Sequence, residues 1–222
     1  VYQNFGFNSY DFLENLIDRA ILYDYSKNGS NAEYLQNLIT SRYPDRQHML
    51  IRQYVSDQYN YDIIIKNYEN RDKTKPYFAF NVTMQNHGGY STSASNFDEC
   101  IRITSTQNYY NKANKYLSLV KASDDAFKGL VEYFSQVEEP TVICMFGDHQ
   151  PNIETSFVSS LLGVKNLNNL PTELEQKRHI TPFYIWANYD IEEKEIEMLS
   201  SNYLSSYVLD IAGVKLTEYN KY

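Results

Sequence analysis

The sequence contains little glycine, proline or cysteine and has no long hydrophobic run. Its 222 residues include 8 glycines, 6 prolines and 2 cysteines, which excludes collagen-like, low-complexity and disulfide-rich chains. Apolar runs such as 141–146 are far shorter than the roughly 20 residues that a bilayer-spanning helix needs. We therefore expect the chain as given to be soluble.

An excess of positive charge is also missing. The chain has 20 Lys and Arg against 28 Asp and Glu, for a formal net charge of -8. Nucleic-acid binding relies on clustered basic residues, so a nucleic-acid partner is not expected. The 42% hydrophobic content, in contrast, is enough for one globular domain with a core.

The start of the chain suggests a piece of something longer. The first residue is Val1 rather than Met, and residues 2–7 resemble sequence from within a domain. We therefore expect residues 1–222 to be one domain fragment, with any targeting or anchoring segment outside it. Cys100 and Cys144 define no disulfide framework, and the apolar neighbours of Cys144 favour a free buried thiol.

The spacing of apolar residues predicts helices at six places. Apolar side chains recur every three or four positions, which is the period of a helix with one buried face. The predicted helices are 8–25, 32–39, 59–68, 106–134, a short one near 156–162, and 204–211. Three consecutive isoleucines, 63–65, leave a strand as the alternative for 59–68.

Three apolar runs predict buried strands. They are rich in aromatic and β-branched residues and comprise 77–84, 141–146 and 182–187. Strands that are apolar on both faces and alternate with helices indicate an α/β fold, in which helices cover both faces of one sheet. In such sheets the ligand site lies at the carboxyl ends of the strands.

Two of these predicted strands are followed by polar clusters, 85–89 and 147–151. The clusters contain His87 and His149, two of the four histidines. In the second cluster, Asp148 and His149 offer a carboxylate oxygen and an imidazole nitrogen side by side. Such a mixed pair suits Mn²⁺ or Zn²⁺ better than Ca²⁺, which prefers oxygen alone. The pair supplies only part of a metal site.

Ordinary structural roles are the alternatives for these residues. Asp148 could cap a helix that begins near 152–154, while His149 makes a structural hydrogen bond. His87 could be a loop histidine in a hydrogen-bonded turn. His48 and His179 lie in charged surroundings and are expected at the surface.

The motifs in their order along the chain resemble the lipoteichoic acid synthase family of phosphoglycerol transferases, within the sulfatase/alkaline phosphatase superfamily. The resemblance covers nearly the whole chain. The motifs that carry it are Val1–Phe7, Asn86-His87 after an aromatic run, Asp124–Phe127 in a long helix, Gly147-Asp148-His149, Thr181–Trp186 and Tyr207–Gly213.

The resemblance implies an alkaline phosphatase/sulfatase-like fold and a role for each matching residue. Asp148 and His149 match the ligands of the catalytic divalent metal, usually Mn²⁺ in this branch, with Mg²⁺, Ca²⁺ or Zn²⁺ as alternatives. His87 matches the histidine that contacts the phosphate or substrate headgroup. Asp124 matches an aspartate of the long helix and is expected to be a buried, structural carboxylate that organises the strand ends.

Two family features have no match. The nucleophile, a Thr or a formylglycine made from Cys or Ser, and the glutamate that completes the metal site both belong upstream of Val1. We therefore expect the fragment alone to be inactive, with weak metal binding.

For the intact protein, the resemblance implies phosphoglycerol transfer from a lipid headgroup or a related anionic ester to a cell-envelope polymer. The reaction would take place at the outer face of the bacterial cell membrane, with attachment through segments outside this chain. Sulfuric ester hydrolysis and a non-catalytic module are the alternatives. In every enzymatic version, His87 and the Asp148–His149 pair are expected to share one cleft.

Overall fold

The computed structural model describes residues 49–91, 93–104 and 108–221. The helices predicted at 8–25 and 32–39, together with His48, lie outside these residues. The chain divides into two compact units. Unit 1 runs to Leu130 and includes Pro151–Leu167, and unit 2 consists of Val131–Gln150 and Asn168–Tyr222.

Unit 1 opens with a small β-hairpin that the sequence patterns did not predict. Strands β1 (Leu50–Ile51) and β2 (Tyr54–Val55) are antiparallel, with Ile51 opposite Tyr54, so the turn contains two residues, 52 and 53. Helix α1 (Asp57–Glu69) follows directly. The side chain of Ser56 caps it by accepting a hydrogen bond from the backbone N–H of Tyr59. The helix predicted at 59–68 is confirmed, and the strand alternative is wrong.

The long predicted helix is present as α2 (Asn111–Ser135). Val120, one of the apolar positions whose spacing predicts this helix, is 37% exposed, whereas the buried residues of the helix include several polar side chains. Those buried residues are Ala113, Asn114, Lys115, Ser118, Leu119, Ser123, Ala126, Leu130 and Phe134. Polar side chains can be buried along this face because other residues form hydrogen bonds with them there.

The prediction of a buried strand at 77–84 is wrong. These residues have no regular secondary structure, and within the described part of the chain no strand pairs with them. Phe78, Phe80 and Val82 are 75%, 62% and 64% exposed. An apolar, β-prone sequence becomes a strand only where a neighbouring strand accepts its backbone hydrogen bonds, and these contacts are non-local.

Unit 2 contains the other two predicted strands. Strands β3 (Val142–Phe146) and β4 (Phe183–Ala187) pair antiparallel, with Cys144 opposite Ile185. Helix α5 (Ser201–Ile211) packs against β3 and is followed by Gly213 in the left-handed region at φ +66°. Both strands and the last helix were predicted from the sequence, and all three are confirmed.

Two shorter helices complete the described elements, along with a final 3₁₀ turn at Tyr219–Lys221. Helix α3 (Thr155–Leu161) was predicted, and α4 (Thr172–Lys177) was not. None of the helices in the described ranges has the length and apolar character that crossing a bilayer requires. Both cysteines are free: Cys100 is exposed, and Cys144 is half-buried rather than fully buried.

Candidate functional site

In unit 1, the imidazole of His87 is exposed and is held by the β1–β2 hairpin. His87 lies in a turn in which its backbone N–H donates to the carbonyl of Met84 at 3.0 Å. Its ring Nδ1 lies 2.9 Å from the hydroxyl oxygen of Tyr54 in β2. The two rings are 5.4 Å apart and tilted by 56°. Nδ1 is therefore engaged within the protein, and no hydrogen bond from Nε2 to another described residue accompanies it.

The backbone beside His87 is held by a buried arginine. Arg52, which is 2% exposed, donates from Nη2 to the carbonyls of Gln85 at 2.8 Å and His87 at 2.7 Å. Its guanidinium lies 5.2 Å from the ring centre of Tyr54 and 5.6 Å from that of Tyr90. Burial lowers the pKa of Arg52, but the normal pKa is so high that the side chain keeps its charge.

A buried polar network ties the same turn to α1 and α2. The hydroxyl of Ser123 donates to Asp57 at 2.6 Å and accepts from the side-chain amides of Gln85 at 3.0 Å and Asn86 at 2.8 Å. The backbone N–H of Asp57 donates to the Gln85 side-chain oxygen at 2.9 Å. Burial raises the pKa of Asp57, and the hydrogen bonds from Ser123 and Thr83 oppose that shift. The residues around His87 are therefore held by contacts from the hairpin, from α1 and from α2.

In unit 2, Gly147 leads from β3 into the Asp148–His149 pair. A Cβ at Gly147 would lie 3.2 Å from the Cβ of Thr181, so the close approach of these segments favours glycine. The Thr181 hydroxyl donates to the Gly147 carbonyl at 2.8 Å, and the Gly147 N–H donates to the Pro182 carbonyl at 3.0 Å. These contacts fix the point at which the pair leaves the sheet.

The two side chains of this pair face each other. Nε2 of His149 lies 3.7 Å from Oδ2 of Asp148, and Nδ1 lies 2.8 Å from the carbonyl oxygen of Gln150. If Nδ1–H donates to that carbonyl, the Nε2 lone pair is free beside the carboxylate, a common arrangement for metal-binding histidines. Two ligands that each lie about 2.1 Å from one ion can be at most about 4.2 Å apart, so the pair fits a divalent cation.

The described residues contain only this part of a metal site. Among them, no three His, Cys, Asp or Glu side chains are grouped closely enough to hold an ion. Both members of the pair are largely exposed, at 83% for Asp148 and 70% for His149. A complete site would therefore need further ligands.

The surroundings of Asp148, Asp124 and His179 decide three expectations from the sequence. Asp148 does not cap the following helix, because α3 begins at Thr155 and its N-cap residue is Glu154. Asp148 instead accepts from the backbone N–H of His149 at 2.8 Å. The expectation that Asp124 is buried is wrong, because Asp124 is exposed and its neighbour Ser123 occupies the buried position. His179 is exposed, as expected, with Nε2 3.6 Å from Glu175.

His87 lies in unit 1, and Asp148 and His149 lie in unit 2. Their convergence on one cleft stays a prediction, as do their roles. Sequence reasoning missed Tyr54 and Arg52, the residues that hold His87. Both precede it by more than 30 positions, at separations of 33 and 35 residues, and nothing in the local pattern indicated the contacts.

Comparisons with known proteins give a consistent result. The sulfatase family model matches residues 1–214. A putative cyclic beta-1,2-glucan modification protein of Rhizobium meliloti is 30% identical over 144 residues, which are 62% of this chain and 22% of that protein. An uncharacterized protein of Haemophilus influenzae is 24% identical over 147 residues, 66% of this chain and 24% of the relative. The chain thus spans about a quarter or less of the length of these relatives.

A solved structure resembles the fold. The phosphoglycerol transferase GacH of Streptococcus pyogenes, in complex with sn-glycerol-1-phosphate, superposes with a TM-score of 0.54 at 21% identity. The match covers 75% of this chain and 40% of the neighbour. At this identity the likeness concerns the fold, and it confirms the alkaline phosphatase/sulfatase-like α/β class predicted from the sequence. Because the family model matches nearly all of the chain, the chain belongs to the sulfatase family.

Proposed function

We propose that this chain is the C-terminal part of the catalytic domain of a metal-dependent phosphoglycerol transferase. The observation that carries the proposal is the Asp148–His149 pair at the end of β3. Its carboxylate oxygen and Nε2 are 3.7 Å apart, and both side chains are open to solvent. Ligands of a metal ion that also binds substrate need this access. Membership of the sulfatase family supports the same role.

The proposed metal ligands from this chain are Asp148 and His149, and the ion is a divalent cation, preferably Mn²⁺. When bound, such an ion supplies Lewis-acid chemistry that lowers the pKa of an attacking hydroxyl and offsets charge on the transferred group. The residues themselves have simpler tasks. Asp148 provides the negative charge that attracts the cation, and the Gln150 carbonyl holds the His149 ring with Nε2 outward.

His87 is proposed as a contact to an anionic oxygen of the substrate. It is exposed, its Nδ1 is already engaged by Tyr54, and its free Nε2 can donate a hydrogen bond. A donor that is fixed before substrate arrives stabilises developing negative charge without reorganisation, a contribution typically of about 3 kcal/mol. This role requires His87 and the metal pair to act on the same substrate.

The proteins that this chain resembles support a substrate class. One relative is named for modification of a glucan, and the structural neighbour was solved with sn-glycerol-1-phosphate. Both descriptions agree with transfer of phosphoglycerol to a hydroxyl of a carbohydrate polymer. We propose a phosphatidylglycerol-like lipid as the donor and a cell-envelope glycan as the acceptor, at the outer face of the membrane, with anchoring by segments outside residues 1–222.

Substitution of the metal pair tests this function. In a longer protein that carries the upstream part of the domain, Asp148→Ala and His149→Ala are each expected to weaken Mn²⁺ binding and lower transfer at least about 100-fold. Binding is measured by calorimetry, and transfer by release of diacylglycerol from the lipid. The 222-residue chain alone should bind Mn²⁺ weakly and show no turnover.

A matched control is available in the same unit. His179 is also an exposed imidazole beside a carboxylate, 3.6 Å from Glu175, but it lies just after α4. His179→Ala should leave metal affinity and transfer unchanged. Loss of the metal with transfer intact in Asp148→Ala or His149→Ala would refute the proposal. Absence of metal binding in the longer wild-type protein would favour a non-catalytic module.

Sulfuric ester hydrolysis is the alternative within the family, since the chain belongs to the sulfatase family and its structural neighbour is a phosphoglycerol transferase. The same longer protein discriminates between the two reactions. A Thr nucleophile and release of diacylglycerol indicate the transferase, whereas a Cys or Ser that matures to formylglycine, with release of sulfate from an aryl sulfate, indicates the hydrolase.

A further inference from the structure

We infer that Tyr54 is a positioning residue for His87, which keeps the neutral imidazole in the tautomer that carries its proton on Nε2. The inference deepens the proposed function and rests on it, because it assigns to Nε2–H the hydrogen bond to the anionic oxygen of the substrate. The observation behind it is the 2.9 Å contact between the Tyr54 hydroxyl and Nδ1 of His87. In a neutral histidine, the bond made at one nitrogen decides which nitrogen carries the proton.

The direction of this hydrogen bond follows from the surrounding contacts. A tyrosine hydroxyl has one proton, and among the described residues its acceptors are Nδ1 of His87 at 2.9 Å and the carbonyl of Gly88 at 3.4 Å. The carbonyl contact is at the limit of hydrogen-bond length, and Nη1 of Arg52 also donates to that carbonyl at 3.4 Å. The contacts therefore favour a Tyr54 proton directed at Nδ1, and we assign Nδ1 as the unprotonated nitrogen.

The same hairpin also holds the backbone that carries His87. Arg52 binds the carbonyls of Gln85 and His87 from the turn between β1 and β2, and Tyr54 binds the ring from β2 two residues later. Arg52 has φ +55°, in the left-handed region that residues other than glycine rarely adopt. Backbone strain of this kind persists where surrounding contacts enforce it and is concentrated at functional sites. Ring orientation and loop position are thus set by one element.

The tautomer decides whether the exposed ring nitrogen attracts or repels an anionic oxygen of the substrate. With the proton on Nε2, the exposed ring nitrogen offers a donor to a phosphoryl oxygen. With the proton on Nδ1, the exposed nitrogen would present a lone pair to the same negative oxygen and repel it. Tyr54 thereby makes His87 useful as a donor while the ring is neutral.

Imidazole ¹⁵N NMR on the full chain tests the inference without substrate or metal. Two-bond ¹H–¹⁵N spectra at about pH 9, where an ordinary histidine is neutral, identify the protonated nitrogen, and the His87 signals are assigned by their loss in His87→Gln. We expect the proton on Nε2 in the wild type. In Tyr54→Phe, the minor Nδ1–H population should rise about fivefold, because this ratio corresponds to the loss of one net hydrogen bond.

Tyr90→Phe is the matched control, because it removes another tyrosine hydroxyl from the same turn without touching the imidazole. Tyr90 donates to the carbonyl of Asn86 at 2.6 Å. The control should keep the tautomer ratio of the wild type. A wild-type proton on Nδ1, an unchanged ratio in Tyr54→Phe, or an equal change in Tyr90→Phe would each overturn the inference.

These results are distinguishable from a failure of the proposed function. A protein with the Tyr54-dependent tautomer but no transfer activity in its longer form would refute the function and leave the tautomer assignment standing. An active transferase in which Tyr54→Phe leaves the tautomer unchanged would refute the positioning role alone.

Discussion

Of the adjacent polar residues Ser123 and Asp124 on α2, only the one with a hydroxyl group is buried. The carboxylate was the expected structural group, yet it is exposed and the hydroxyl is buried. A hydroxyl can donate and accept at once, and Ser123 does so between Asp57, Gln85 and Asn86. A second carboxylate at that position would face the carboxylate of Asp57 and would offer no donor to it.

Replacing these neighbours in turn tests the assignment. We expect Ser123→Ala to lower the free energy of unfolding by about 2 kcal/mol, because it removes a hydrogen-bond partner that buried amide and carboxyl groups share. Asp124→Ala should change it by less than about 0.5 kcal/mol, as is usual for exposed positions. Urea denaturation of both variants provides the comparison. A larger loss in Asp124→Ala than in Ser123→Ala would contradict this account of the network.

At the scale of elements, α2 depends on a residue that is distant in the sequence. The carboxylate of Glu154 accepts the backbone N–H groups of Lys112 at 2.7 Å and Ala113 at 3.0 Å, in the first turn of the helix. Four N–H groups at the start of a helix lack intrahelical partners, and a negative charge there also interacts favourably with the helix dipole. One side chain thus satisfies two groups and connects α2 to the start of α3.

Glu154→Ala is therefore expected to destabilise the protein by about 1–2 kcal/mol, as the loss of an N-cap does. Glu154→Gln should retain part of this stability, because its side chain has one acceptor oxygen in place of two. Thermal unfolding followed by circular dichroism measures both variants. Glu173→Ala, in the first turn of the separate helix α4, serves as the control and should have a smaller effect. Equal losses in Glu154→Ala and Glu173→Ala would exclude a specific cap.

Elements with a strong local period were predictable, and those that depend on a partner were not. Helices α1, α2 and α5 were expected from the spacing of apolar residues and strands β3 and β4 from continuous apolar runs, and each lies close to its predicted position. The run 77–84 is equally apolar but has no strand partner among the described residues. The β1–β2 hairpin was missed because its strands have two residues each and its turn contains Arg52 where glycine would signal a turn.

At the scale of the whole molecule, the buried carboxyl of Asp57 links stability to pH. Its pKa is raised above the ordinary value of 3.8 by burial. The folded state therefore binds more protons than the unfolded state between 3.8 and the raised pKa. In that window the contribution of Asp57 to the free energy of unfolding falls as pH increases, because the protonated form of Asp57 is the one that favours folding.

Asp57→Asn removes this contribution. Compared with the wild type, the variant should gain relative stability as pH rises from about 3.8 through the raised pKa, and the difference should become constant above it. Denaturation by urea at a series of pH values measures the difference. Ser123→Ala should extend the contribution of Asp57 to higher pH, since the Ser123 hydrogen bond opposes the raised pKa. Parallel pH profiles for Asp57→Asn and the wild type would contradict the prediction.

The sequence alone determined the fold class, the helices with a regular apolar period, the two strands with continuous apolar runs, and the candidate residues His87, Asp148 and His149. These features depend on patterns within a short stretch of chain or on the order of motifs. Only the tertiary structure decided that Tyr54 and Arg52 hold His87, that Ser123 rather than Asp124 is buried, and that 77–84 is exposed. Each of these depends on contacts between residues far apart in the chain, such as Tyr54 and His87, 33 positions from each other. Such contacts depend on tertiary packing, which local sequence propensity does not predict.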